Sequence, residues 1–351
     1  MFSRDLAYAF CVQMTVLASG SKGNATLISA GSTHILVDAG LSCRELLRRM
    51  AQAGRDPATL TAILITHEHL DHVSGLAVLA RRLNVPVFFT EATHRAWVRM
   101  LTPRKTMTYT QWLEQLAREH AARQAEPYGE HLPAHLHRGA PATAVAQTEP
   151  QAESGAIAVL NAEEGEPCEP EEVRPEGKRD PAFLPAVEYF QAGQRFSIGE
   201  IDINPFTIPH DAADPCGFVF HARKESLRMA VATDLGYVPP NVKQALRDVD
   251  VLLLESNHDL EMLKDGPYPW SVKQRVLSRV GHLSNAAAAE FLLRDYDGGA
   301  HTIVLGHLSE QNNLPELAKL AAEQAIGDRL SLLGNRVVLA GQDAPLEAIC
   351  L

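Results

Sequence analysis

The sequence predicts a mixed α/β fold in 351 residues. Short apolar runs rich in Val, Ile and Leu alternate with amphipathic helical stretches. Polar residues with ligand chemistry sit where those runs end. A long Ala/Pro/Glu/Gly-rich stretch interrupts the alternation once.

In chain order, Thr15–Ala18, Ala25–Ser29 and His34–Val37 read as an opening meander. Cys43–Ala53 reads as a helix with Ser42 as N-cap. Strand 62–65, helix 73–83, strand 85–89 and helix 91–101 follow. The pattern resumes with strands near 187–190, 195–198, 201–208, 217–222 and 228–233. A helix is expected at 239–247, a strand at 251–254 and one long helix at 270–294. Strand 302–305, helix 314–325 and strand 336–340 close the pattern.

Residues 103–183 stand outside this alternation and read as an insertion within a single domain spanning 1–350. Trp112–Arg123 has helical character. From about 125 to 182 large apolar residues are scarce, so the segment cannot bury enough surface to offset its chain entropy, and disorder is expected. His120, His131, His135 and His137 lie in or beside it and read as solvated histidines.

Hydrophobic content of 46% is that of an ordinary globular protein, and no run is long enough to span a membrane. Met1–Gln13 lacks the apolar core of a signal peptide. Five scattered Cys without a CxxC pair suit free thiols and a cytoplasmic location. The formal charge is −11, but residues 149–182 hold ten acids and three bases. That leaves −4 on the rest of the chain, so global charge does not exclude a nucleic-acid partner.

The densest chemistry is Thr66-His67-Glu68-His69-Leu70-Asp71-His72, directly after the apolar run Ala62-Ile63-Leu64-Ile65. Ligands at the C-terminal end of a strand occupy the usual place for chemistry in α/β folds. In an extended loop His67 and His69 point the same way, while Asp71 and His72 turn toward a neighbouring point. Imidazole and carboxylate suit zinc and related divalent ions. Asp38, in Leu36-Val37-Asp38-Ala39-Gly40, ends another strand and is placed to fix a ligand His.

The spacing His-x-His-x-Asp-His resembles the signature of the metallo-β-lactamase fold superfamily. The resemblance implies a four-layer αββα sandwich and three further ligands, His, Asp and His, each at a strand end. His210 ends 203–209, with Gly217-Phe218-Val219-Phe220 soon after. Asp234 ends 229–233, and His307 ends 302–306. By family correspondence His67, His69 and His210 hold one ion, Asp71, His72 and His307 a second, and Asp234 bridges. Zinc and manganese are equally compatible with these ligands.

Further runs are similar to the YycJ/WalJ group, related to ribonuclease Z and the PhnP-type phosphodiesterases. They are Ser19-Gly20-Ser21-Lys22-Gly23-Asn24, Glu255-Ser256-Asn257-His258-Asp259, Tyr268–Ser278, Gly281-His282-Leu283-Ser284-Asn285 and Gly306–Asn313. The resemblance extends over roughly residues 14–102 and 184–350. The resemblance implies 5′-to-3′ exonuclease activity on double-stranded DNA, with a part in mismatch repair. It also implies that His282 is the general acid, oriented by Glu255, with His258 as the rival. Asp71 counts with the catalytic residues as well as the ligands. Ser19, Ser21, Asn24 and Asn257 are expected at the substrate, although the Gly/Ser loop also reads as a plain hairpin connection. Two other readings remain: a glyoxalase II-like thioesterase or other small-molecule metallohydrolase, and a metal-stabilised scaffold that docks a protein partner through its acidic insertion.

Overall fold

A computed structural model of the chain describes residues 12–102, 108–110, 112–114, 116–118, 180–327 and 336–351. The chain divides into two units, Met1–Thr102 with Asp180–Leu351, and Pro103–Arg179. In the second unit residues 109–110, 112–114 and 116–118 are helical. The rest of the expected helix at 112–123, and the acidic stretch up to 179, lie outside the described residues.

The first unit is built on two seven-stranded sheets. In one, β1 (Gln13–Ala18), β2 (Ala25–Ala30) and β3 (Thr33–Val37) form an antiparallel meander. β4 (Ala62–Leu64), β5 (Val87–Phe89) and β6 (Val187–Tyr189) then add in parallel beyond β3. The other sheet repeats this plan. β7 (Phe196–Ile198), β8 (Ile201–Thr207), β9 (Cys216–Ala222) and β10 (Leu227–Ala232) run antiparallel. β11 (Val251–Glu255), β12 (Thr302–Gly306) and β13 (Arg336–Leu339) continue in parallel. A two-residue strand, β14 (Ile349–Cys350), pairs with β1 at the far edge of the first sheet.

Alternation along the strands produces the layers. Met14, Val16, Ile35 and Val37 of one sheet meet Phe218, Phe220, Val231 and Leu253 of the other. The opposite faces are covered by helices. Leu27, Leu36 and Ile63 pack on Leu46, Leu79 and Trp97. Ala230, Leu252 and Ile303 pack on Phe291, Leu292 and Ala318. The result is the four-layer αββα sandwich of the metallo-β-lactamase fold, with three apolar interlayers. Strands buried on both faces explain the continuous apolar runs in the sequence.

Several boundaries differ from expectation. The helix expected over 73–83 is two, Leu70–Val73 and Leu76–Leu83. Gly75 sits between them, where a Cβ would lie 2.0 Å from Leu41 O. The helix expected over 270–294 is also two, Trp270–Val276 and Asn285–Arg294. Gly281 lies so close to Arg275 O and Val276 O that a Cβ would come within 2.2 Å of each. Ser284 then caps the second helix by accepting from Ala287 N at 3.1 Å. This break delivers His282 to the mouth of the sheets. The short helix Leu260–Asp265, capped by Asp259, has no counterpart in the expected pattern.

Candidate metal centre

The C-terminal ends of the parallel strands converge on one cluster. Asp38 follows β3, His67 lies past β4, Asp234 follows β10, Glu255 ends β11 and His307 follows β12. Asp38, Asp234 and His307 have left-handed backbones, with φ of 62°, 62° and 55°. Such a conformation costs a non-glycine residue about 1–2 kcal/mol. It is held at Asp38 by donation of its N–H to Leu64 O (2.9 Å), and at His307 by donation to Ser19 Oγ (2.7 Å).

The histidine run is shaped by the short helix Leu70–Val73, in which His72 N donates to His69 O. His67, His69 and His210 offer donor atoms within 4.8 Å of one another, and His69 Nδ1 lies 3.3 Å from His210 Nε2. Asp71, His72 and His307 form a second such triad, with His72 Nε2 3.4 Å and His307 Nε2 3.5 Å from Asp71 Oδ2. Asp234 stands between them. Its Oδ2 is 3.5 Å from His72 Nε2, and its Oδ1 is 3.5 Å from His307 Nε2 and 4.0 Å from His210 Nε2.

In His67, His72, His210 and His307 the other ring nitrogen meets protein. His72 Nδ1 donates to Asp38 Oδ2 at 2.8 Å, and His210 Nδ1 donates to Gly281 O at 3.1 Å. His307 Nδ1 donates to Glu255 Oε1 at 3.0 Å. Thr66 Oγ1 donates to Asp38 and lies 3.0 Å from His67 Nδ1. These contacts leave His67 Nε2 and Asp234 Oδ2 buried without a hydrogen-bond partner among the described residues. An orphaned imidazole nitrogen and carboxylate oxygen in so polar a cluster are what bound cations would satisfy. The donor set therefore fits divalent metal ions.

The carboxylates and histidines of the cluster shift one another. Burial opposes charging of His72, but Asp234, Asp71 and Asp38 outweigh it and raise its pKa well above the imidazole norm. Burial opposes charging of His307 too, and there Asp234, Asp71 and Glu255 prevail and raise its pKa. His67 is pushed the other way, by burial and by His72, His210 and His69, into the neutral form a metal requires. Burial would raise the Glu255 carboxyl, but His282 and His307 hold it below the carboxylate range.

Glu255 is fully buried and accepts four hydrogen bonds. They come from His282 Nδ1 (2.7 Å), His307 Nδ1, Leu235 N (2.6 Å) and Leu283 N (3.2 Å). His282 is one-fifth exposed at the mouth of the cluster. His258 is buried; its Nε2 has no partner among the described residues, and its pKa is pushed down to about 4 by burial. Ser19 and Asn257 are buried, and Asn257 Nδ2 donates to His307 O at 2.8 Å. Asn24 Nδ2 lies 3.2 Å from Asp71 Oδ2, while Asn24 Oδ1 accepts from Gly20 N. Ser21 is exposed. His120, His131, His135 and His137 lie outside the described residues.

Sequence reasoning missed Thr66 and the carbonyl of Gly281. The threonine has a signal, a hydroxyl residue at a strand end directly before the histidine run. A backbone acceptor has none.

A family model described as the metallo-beta-lactamase superfamily matches residues 18–137, and one described as a beta-lactamase superfamily domain matches residues 166–307. Exodeoxyribonuclease WalJ of Streptococcus pneumoniae (strain D39) is 31% identical over 306 residues, covering 87% of this chain and 85% of that protein. Exodeoxyribonuclease YycJ of Bacillus anthracis is 30% identical over 318 residues, covering 91% of this chain and 90% of that protein. Among solved structures, the metallo-beta-lactamase fold protein YhfI from Bacillus subtilis superposes with a TM-score of 0.53 at 13% identity. It covers 95% of this chain and 99% of its own, a likeness of fold.

Proposed function

Since the chain belongs to the metallo-β-lactamase superfamily, and within it to the WalJ/YycJ group, we propose that it hydrolyses phosphodiester bonds of double-stranded DNA from the 5′ end. The observation that carries this reading is the Glu255–His282 pair, 2.7 Å apart at the edge of two ligand triads that share Asp234. That arrangement provides for attack on a phosphorus and for protonation of the oxygen that leaves. Both full-length relatives are named exodeoxyribonucleases.

His67, His69 and His210 would hold one divalent cation, Asp71, His72 and His307 the other, with Asp234 reaching both. Bound there, zinc or manganese would supply Lewis-acid polarisation of a phosphoryl oxygen and a water of lowered pKa. The protein does the rest. Asp38, Thr66 and Gly281 O fix the ring orientations of His72, His67 and His210. Glu255 accepts from Nδ1–H of His282; with the ring doubly protonated, Nε2–H would then give its proton to the leaving alkoxide, and the ring is left neutral with its proton on Nδ1. Stepwise 5′-to-3′ shortening of a duplex is also the reaction that removal of a mispaired strand requires.

The test is full-length protein loaded separately with Mn²⁺ or Zn²⁺, given 5′-phosphorylated duplex DNA, with Asp71→Ala as control. Stepwise shortening from the 5′ end by wild type alone is expected. No cleavage with either metal, despite bound cations, would overturn the reading and point to small phosphodiesters or thioesters.

A further inference from the structure

Resting on the nuclease reading, we infer that Arg279, held over the Tyr237 ring, grips a backbone phosphate of the nucleic-acid substrate at the rim of the metal centre. The residues 279–281 lie against the loops that carry two of the ligands. Gly236, two residues past Asp234, faces them so closely that a Cβ would lie 2.1 Å from Arg279 O. Asp211 N donates to Val280 O at 3.1 Å, and His210 Nδ1 donates to Gly281 O at 3.1 Å. The backbone of Arg279 is thus seated on the site itself, three residues before His282.

Its side chain is exposed, with the guanidinium carbon 4.3 Å from the centroid of the Tyr237 ring. Among the described residues it makes no ion pair. Arg275, four residues earlier, differs: it donates to Asp211 Oδ2 at 2.5 Å, so its charge is compensated. Arg48, Arg95, Arg223 and Arg294 on other surfaces are likewise paired, with Glu45, Glu91, Asp202 and Glu290. An exposed arginine normally samples many rotamers, and a ring beneath it restricts them. A restricted, uncompensated guanidinium presents a planar fork of donors matched to phosphate oxygens. The need for such a group follows from the site. Bound cations at the centre would balance Asp38, Asp71, Asp234 and Glu255, and the rim outside them still meets a polyanion in a chain of net charge −11. A polyanion approaching it gains from a cation fixed at the rim.

The experiment measures binding of metal-loaded protein to duplex DNA whose 5′-terminal linkages are phosphorothioates, by anisotropy at several salt concentrations. Wild type, Arg279→Ala, Arg279→Lys and Tyr237→Leu are compared. Arg279→Ala should weaken binding roughly tenfold and flatten the slope of log K against log salt by about one. Arg279→Lys keeps the charge and should restore the slope; Tyr237→Leu should weaken binding with the slope retained. On cleavable duplex the loss from Arg279→Ala should fall on KM more than on kcat. If wild type binds duplex and Arg279→Ala binds with the same affinity and slope, the role of Arg279 is refuted while the nuclease reading stands. If wild type binds no duplex, both fall.

Discussion

Glu255 Oε1 lies 2.7 Å from His282 Nδ1, and the same oxygen lies 3.0 Å from His307 Nδ1. One buried carboxylate therefore orients both the proposed acid and a proposed metal ligand. His282→Ala should lower kcat on DNA by roughly 10²–10⁴ with metal content intact. Glu255→Gln should lower kcat similarly and also loosen metal, because an amide offers one acceptor oxygen where the carboxylate serves His282, His307, Leu235 N and Leu283 N with two. Turnover assays beside elemental analysis separate the two. Full turnover by a fully loaded His282→Ala protein would remove His282 as the acid.

Asp38 belongs to neither triad, yet it accepts from His72 Nδ1, Thr66 N and Thr66 Oγ1. Asp38→Asn should reduce metal affinity roughly 10- to 100-fold with the fold retained. Competition against a chromophoric chelator measures this. Unchanged affinity would mean that packing alone orients His72.

Far from the site, Glu45 ties down Arg48 and Arg49, and Arg49 in turn donates to Leu17 O and Gln342 O. Arg48, against the opposing effect of burial and helped by Arg49, lowers the Glu45 carboxyl from 4.5 to about 2. A carboxyl depressed in the folded state contributes stability above its unfolded pKa and loses it as pH falls through the folded one. Glu45→Gln should therefore cost roughly 1 kcal/mol at pH 7, after allowing for solvent screening. The difference from wild type should fade between pH 4.5 and about 2. Denaturant midpoints at pH 7, 4 and 2.5 read it directly, and a gap that persists at the lowest pH would show that the charge is not its source.

All three apolar interlayers are formed by residues of the first unit. A chain lacking residues 125–179 should then keep its metal content and shift its melting temperature by only a few degrees. Loss of cooperative melting would place part of the core in that segment.

The strands and the ligand cluster were legible for one physical reason: doubly buried strands read as apolar runs, so a His or Asp at their ends stands out. His67, His69, Asp71 and His72 stand out that way; His210, Asp234 and His307 are found because the family resemblance asks for a His, an Asp and a His at later strand ends, and the structure brings them to the same cluster. The interruption at 277–284 was not legible, since its flanks favour helix and the decisive event is the close approach of Gly281 to Val276 O. The carbonyl that holds His210 lies in that same loop. β14 escaped because two residues carry no period, and its partner lies more than 300 positions earlier.

That last pairing bears on how the molecule is made. The first sheet contains β1, which is synthesised before the other described strands, and β14, which is synthesised after them. A ribosome emitting this chain has already released four of the seven candidate ligands while the sheet that bears them still lacks its edge strand. Closing it demands a contact of very high sequence separation, the kind that slows folding. Acquisition of metal by the early histidines and completion of their sheet are thus separated in time, and the exposed margin of β1 is where a nascent chain would be open to mispairing.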